Sequence, residues 1–161
     1  MIILSHIAYP TLFFITIAKL FNIEYSLTHL LVLMFFSMYP DLDYFFHALI
    51  SKKKISFNVP HRKWFTHWPI TYTPLLVLLY FFPSLTLSLI CLGIYSHFIL
   101  DTFFSGDGLR WLYPFSKKYF SFFGGKTKGY YGIEWFNIYK KMFIYKADIL
   151  SFIALLIILI F

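Results

Sequence analysis

This sequence predicts an all-α integral membrane protein. It reads as a helical bundle of about five transmembrane spans plus one interfacial helix, folded as a single domain over residues 1–161. Three observations carry the prediction. The chain is 60% hydrophobic and only 13% charged, against about 25% charge in an ordinary soluble domain. Its mean hydropathy is +0.71, and a soluble fold of 161 residues has too little interior to hide 22 Phe beside so much Ile and Leu. Its apolar residues also fall into five runs, none of which alternates polar with apolar as a barrel strand does.

The first run, 2–21, is long enough for a span, which takes about 20 residues. It has no basic residue before Lys19 and no small-residue cleavage site, so it reads as a permanent helix, not a secretory signal. Asn22 and Glu24 turn the chain into the second run, 25–40. The third run, 68–82, turns at Pro83-Ser84 into the fourth, 84–104, which is again full length. The fifth is 147–161. The short runs are tolerable as spans if the bilayer thins, flanking aromatics extend them, or the bundle covers them. Residues 41–67 form a polar loop carrying Lys52, Lys53 and Lys54, a headgroup-facing run. Residues 105–146 form the longest connection, rich in Gly, and within it 133–145 reads as a helix lying in the interface.

Five spans place the N-terminus, loop 41–67 and loop 105–146 on one side. Those two loops hold thirteen of the 14 Lys and Arg residues, so that side is expected to be cytoplasmic. Basic loops of a membrane protein account for the net charge of +7, and nucleic acid is not an expected partner. The single cysteine, Cys91, lies in an apolar run and reads as an inert thiol.

The chemistry gathers on the same side. His6 opens the first span, Asp41 and Asp43 follow the second, His61 and His67 precede the third, and His97 and Asp101 close the fourth. Ionisable groups at membrane depth are costly and are functional candidates by default. His97 and Asp101 are four apart and share one helix face. Asp41 and Asp43 would point apart on a regular helix, but Pro40 before them favours a helix end at which both can converge. Imidazoles and carboxylates in this mixture suit a divalent metal, zinc first, with manganese or iron as alternatives and one or two ions. Arg62 offers a fork of donors to a phosphate or a developing oxyanion. Other polar residues read as structural: His29 as an anchor on the opposite face, Asp107 as a turn residue, and His47, four after Asp43, as a candidate outer partner.

The ordered set His6, Pro40-Asp41-Leu42-Asp43, His61-Arg62 with Thr66-His67, Ser96-His97 with Asp101, then Gly108, Leu112 and Pro114 resembles the YdjM-like family of inner-membrane metal-dependent hydrolases, also described as LexA-binding. The resemblance covers residues 6 to about 115. It implies a multi-pass helical protein of the inner membrane with the seven His and Asp residues as metal ligands. It also matches Glu134, after Gly132, to a later acidic position and so to a catalytic role. Tyr44 stands where a His often follows the second Asp, and Trp68 where a Ser often follows the Thr-His pair. The His97-x-x-x-Asp101 pair is similar to one in zinc-dependent phospholipase C and related nucleases, which points toward phosphoester hydrolysis.

The expected function is therefore metal-dependent hydrolysis of a phosphoester or lipid-like substrate at the cytoplasmic membrane face. The expected partner is a membrane lipid or amphiphile. Two rival readings predict other behaviour: a metal or ion transporter, whose site would sit near the midplane, and a non-catalytic adaptor docking a soluble regulator through the basic loops.

Overall fold

A computed structural model of the chain describes residues 3–43, 64–104, 108–122 and 132–160. Six α-helices lie in those segments: α1 (Ile3–Phe21), α2 (Leu27–Met38), α3 (Thr73–Phe81), α4 (Leu85–Phe104), α5 (Gly132–Tyr139) and α6 (Phe143–Ile160). Short 3-10 turns at Tyr39–Leu42, Phe65–His67 and Pro69–Tyr72 join them. Among the described residues there is no strand ladder, only an isolated antiparallel bridge between Leu109 and Phe120.

Among the described residues, three helices are long and apolar enough to cross a membrane: Leu4–Phe21, Leu85–Phe103 and Phe143–Ile160. The stretches Leu27–Leu42 and Pro69–Phe81 are apolar but shorter. The expectation of five spans is thus met in length by three. Pro40 tightens the end of the second run into a 3-10 turn, and Pro69 and Pro74 break the third into a 3-10 turn and a nine-residue helix. The expected interfacial helix 133–145 is also corrected. It ends at Tyr139, and the last long helix begins at Phe143, not at 147.

Helix ends follow their sequences. Asn22 adopts a left-handed backbone (φ 51) just past α1. The Ile23 N–H then closes back onto the Ala18 carbonyl at 2.9 Å, as Asn permits at a helix C-terminus. At the start of α2 the Ser26 N–H donates to His29 Nδ1 at 3.1 Å, so His29 is a helix cap.

The core lies between α1, α2 and α4, with Ala8, Phe14, Ile15, Ala18, Leu30, Leu33 and Leu89 buried together, and Leu155 of α6 joining from the α1 side. Gly93 lets α4 meet α2 backbone to backbone. A Cβ there would stand 2.9 Å from the Ser37 nitrogen and 3.0 Å from the Leu33 oxygen. Small residues at such crossings are how apolar helices pack closely in lipid. Outward faces carry Leu150, Ile153 and Ile157 of α6, all exposed, as lipid-facing positions require.

A loop after α4 folds back on the helix end. Leu109 and Phe120 exchange backbone hydrogen bonds at 3.0 and 2.8 Å, and Trp111 Nε1 donates to Thr102 Oγ1 at 2.8 Å. Gly108 has φ +71, and a Cβ on it would lie 2.0 Å from the Phe120 carbonyl oxygen. Gly108→Ala is expected to cost roughly 2–3 kcal/mol, from strain plus loss of this pairing. Thermal unfolding of purified protein in detergent checks it.

Candidate metal centre

Four of the elements just described bring their polar residues to one end of the bundle. His6 comes from the first turns of α1, Asp41 and Asp43 from the turn after α2, His67 from the turn before α3, and His97 and Asp101 from the last turns of α4. His6, Asp43, His67, His97 and Asp101 are buried, and Asp41 is partly so. The rings of His6 and His97 stack at 4.0 Å between centroids. Those of His67 and His97 meet edge-on at 5.5 Å. Residues separated by up to 95 positions therefore form one cluster.

The donor atoms face one another. Asp41 Oδ1 lies 3.4 Å from His67 Nε2 and 3.7 Å from His97 Nε2. Asp101 offers one oxygen 3.5 Å from His6 Nε2 and the other 4.0 Å from His97 Nε2. Zinc–nitrogen and zinc–oxygen bonds of about 2.0–2.1 Å put tetrahedral donors about 3.3–3.4 Å apart, so these separations suit a common ion. Among the described residues, two triads have every donor atom within 4.8 Å of the others: His6, Asp41 and His97, and His67, His97 and Asp101.

The surroundings fix which ring nitrogen points inward. The His97 Nδ1–H donates to the Ser37 carbonyl at 2.8 Å, which leaves Nε2 with a lone pair. That Nε2 is buried and has no hydrogen-bond partner among the described residues. A buried acceptor of this kind is costly unless something binds it, and a cation among two carboxylates fits. The donor set of three imidazoles and two carboxylates, without a thiolate, fits zinc or a similar divalent ion. Cys91 is buried elsewhere, its Sγ 3.8 Å from the Leu75 carbonyl oxygen.

Asp43 differs from the other candidates. Its Oδ2 takes His67 Nδ1 at 3.0 Å and the Thr66 hydroxyl at 3.2 Å, and it belongs to neither triad. Burial pushes the Asp43 carboxyl up from the ordinary range, against the pull of His67 and Thr66. Burial pulls the His67 imidazole down, but its hydrogen bonds to Asp41 and Asp43 and their negative charge prevail and raise it to about 9.

Glu134 stands on the exposed side of α5 and is in neither triad. His61 and Arg62 lie outside the described residues, as do His47, Lys52–Lys54 and Asp107. Ser37, Thr66 and Gly93 support the cluster without having been singled out as site residues; the spacing of Gly93 four before His97 was the available signal. A second buried polar contact, Tyr139 Oη to Asp148 Oδ2, ties α5 to α6.

Against known proteins, the family model of YdjM inner membrane proteins matches residues 1–161, the full chain. No curated protein and no solved structure matches.

Proposed function

The chain belongs to the YdjM inner membrane protein family, and from that premise we propose that it is a metal-dependent hydrolase of the inner membrane, acting at the cytoplasmic rim on a phosphoester of a lipid or other amphiphile. The observation that carries this reading is the convergence of His6, Asp41, His67, His97 and Asp101 at one end of the bundle, with His97 Nε2 buried and aimed inward. A divalent metal held there supplies Lewis acidity and makes water nucleophilic near neutral pH. The protein's own residues do the rest. The Ser37 carbonyl holds the His97 ring in one tautomer, the carboxylates of Asp41 and Asp101 set the charge of the cage, and the close approach of α2 to α4 at Gly93 keeps Ser37 against His97.

One ion is favoured over two. His97 is common to both triads, and with Nδ1 committed to Ser37 it has a single lone pair to give. It can therefore complete only one of the two triads at a time, so the triads cannot hold two ions with full ligand sets. The ligand set is His6, Asp41, His67, His97 and Asp101, with His61 a further candidate and Arg62 the expected anchor for an anionic group.

The test is turnover. Protein in nanodiscs is given a panel of phospholipids and water-soluble phosphoesters, with zinc or manganese, before and after chelation. The reading expects release of product that chelation abolishes and metal restores, with amphiphiles preferred. Metal flux in proteoliposomes without turnover of any ester would favour a transporter instead.

Loading the cage also has a pH signature. His67 holds a proton up to about pH 9 in the metal-free protein, and a metal must displace it. Apparent zinc affinity is therefore expected to rise with pH, about tenfold per unit for one displaced proton, and to level off above about pH 9. Chelator competition at three pH values checks the slope.

A further inference from the structure

Resting on the cage just described, we propose that Asp43 is a positioning residue and not a ligand: it fixes His67 from behind, as a carboxylate–histidine–metal relay. Asp41 and Asp43 leave the same tight turn, Tyr39–Leu42 and its cap, and grip one imidazole from its two sides. Asp41 Oδ1 lies 3.4 Å from Nε2. Asp43 Oδ2 lies 3.0 Å from Nδ1.

The two carboxylates then diverge. Asp41 also reaches His97 Nε2 at 3.7 Å and belongs to a triad. Among the described residues Asp43 reaches no imidazole besides His67. Its Oδ2 accepts the Thr66 hydroxyl instead, at 3.2 Å. Its Oδ1 is buried with no hydrogen-bond partner among the described residues. Through Oδ2 the described contacts join Asp43 to one ring nitrogen, the one opposite the Nε2 that faces Asp41.

A histidine bound this way has one tautomer, one orientation and a more basic inward nitrogen. His97 receives a weaker version of the same support, from the neutral Ser37 carbonyl at 2.8 Å. The two imidazoles are thus unequal donors. His67 is the stronger, and Asp43 with Thr66 makes it so.

The experiment uses the full-length protein in detergent, with cobalt(II) as the spectroscopic probe and zinc competition against a chelator for affinity. Wild type, Asp43→Asn, Asp41→Asn and Thr66→Val are compared. Asp43→Asn is expected to keep the wild-type cobalt absorption pattern, because the ligands are unchanged. Its zinc affinity should fall about tenfold to a hundredfold, the usual cost of losing an outer partner. Asp41→Asn should change the cobalt pattern itself. Thr66→Val, which removes only the hydroxyl that holds Asp43, should keep the pattern and weaken zinc by about threefold, a hydrogen bond's worth. It reads the same relay if Asp43→Asn does not fold.

A cobalt pattern altered in Asp43→Asn as in Asp41→Asn would make Asp43 a ligand and overturn the proposal alone. Wild-type zinc affinity in Asp43→Asn, or in Thr66→Val if only that variant folds, would also overturn it. Failure of the wild type to take up either metal would remove the cage, and this assignment with it.

Discussion

His97→Ala is expected to strip the protein of metal, with zinc affinity falling on the order of a hundredfold or more. A structural zinc site provides about 10–16 kcal/mol, so one of five ligands accounts for roughly 2–3 kcal/mol. His97 stands at the upper end because it is the residue common to both triads. The loss also leaves the buried Ser37 carbonyl without the ring that it accepts from. His29→Ala is the contrasting control. His29 caps α2 through the Ser26 N–H, so its removal should cost about 1 kcal/mol of stability and leave metal content unchanged. Metal analysis of both purified variants beside wild type, with their unfolding curves, separates the two effects.

The second large effect is expected at Gly93, a residue that touches no ligand. A Cβ there would meet the Ser37 nitrogen, the Leu33 oxygen and the Phe36 carbonyl carbon at 2.9–3.0 Å. These are backbone atoms of a helix, so no side chain can swing aside. Gly93→Ala must push α2 off α4 by a few tenths of an ångström, at a cost of about 1–3 kcal/mol. Because His97 leans on Ser37 across this same seam at 2.8 Å, metal affinity should drop with it, by about tenfold. Gly93→Leu should leave no folded protein to purify. Size-exclusion profiles of the two variants in detergent, and zinc titration of the alanine form, check both statements. A Gly93→Ala protein with normal metal affinity would mean that the seam does not govern the site.

Much of this was legible in the residue order. The five apolar runs hold five of the six described helices, and the sixth, Gly132–Tyr139, falls in the stretch read as interfacial. The expectation that His6, Asp41, Asp43, His61, His67, His97 and Asp101 reach one membrane face rests on counting spans. The described geometry gathers six of them, and His61 lies outside the described residues. The turn at Pro40 does let Asp41 and Asp43 converge, on opposite nitrogens of the same ring. What the order of residues does not carry is who stands behind whom. The two aspartates look equivalent two positions apart. Only the fold shows that Asp41 faces His97 as well, while Asp43 is turned toward Thr66.

The support of His97 was invisible for a different reason. Its partner is a backbone carbonyl, which every residue owns, so no side-chain pattern advertises it. Span lengths misled in part because hydropathy does not register a 3-10 turn. Pro40, Pro69 and Pro74 shorten two runs that composition alone would count as spans. Asp148 was hidden by its neighbours. It lies in a helix otherwise almost wholly apolar, and its partner Tyr139 belongs to the preceding helix, which the pattern merged with a stretch that the structure divides.

The proposed cage holds one metal ion with nitrogen and oxygen donors from four separate elements. X-ray absorption at the zinc edge of the loaded, purified protein reads that shell. The expected first shell is nitrogen and oxygen alone at about 2.0–2.1 Å, with the outer scattering of three imidazoles. A sulfur shell at about 2.3 Å, which only a thiolate such as Cys91 could provide, or the signature of hydrated zinc without imidazole, would contradict it.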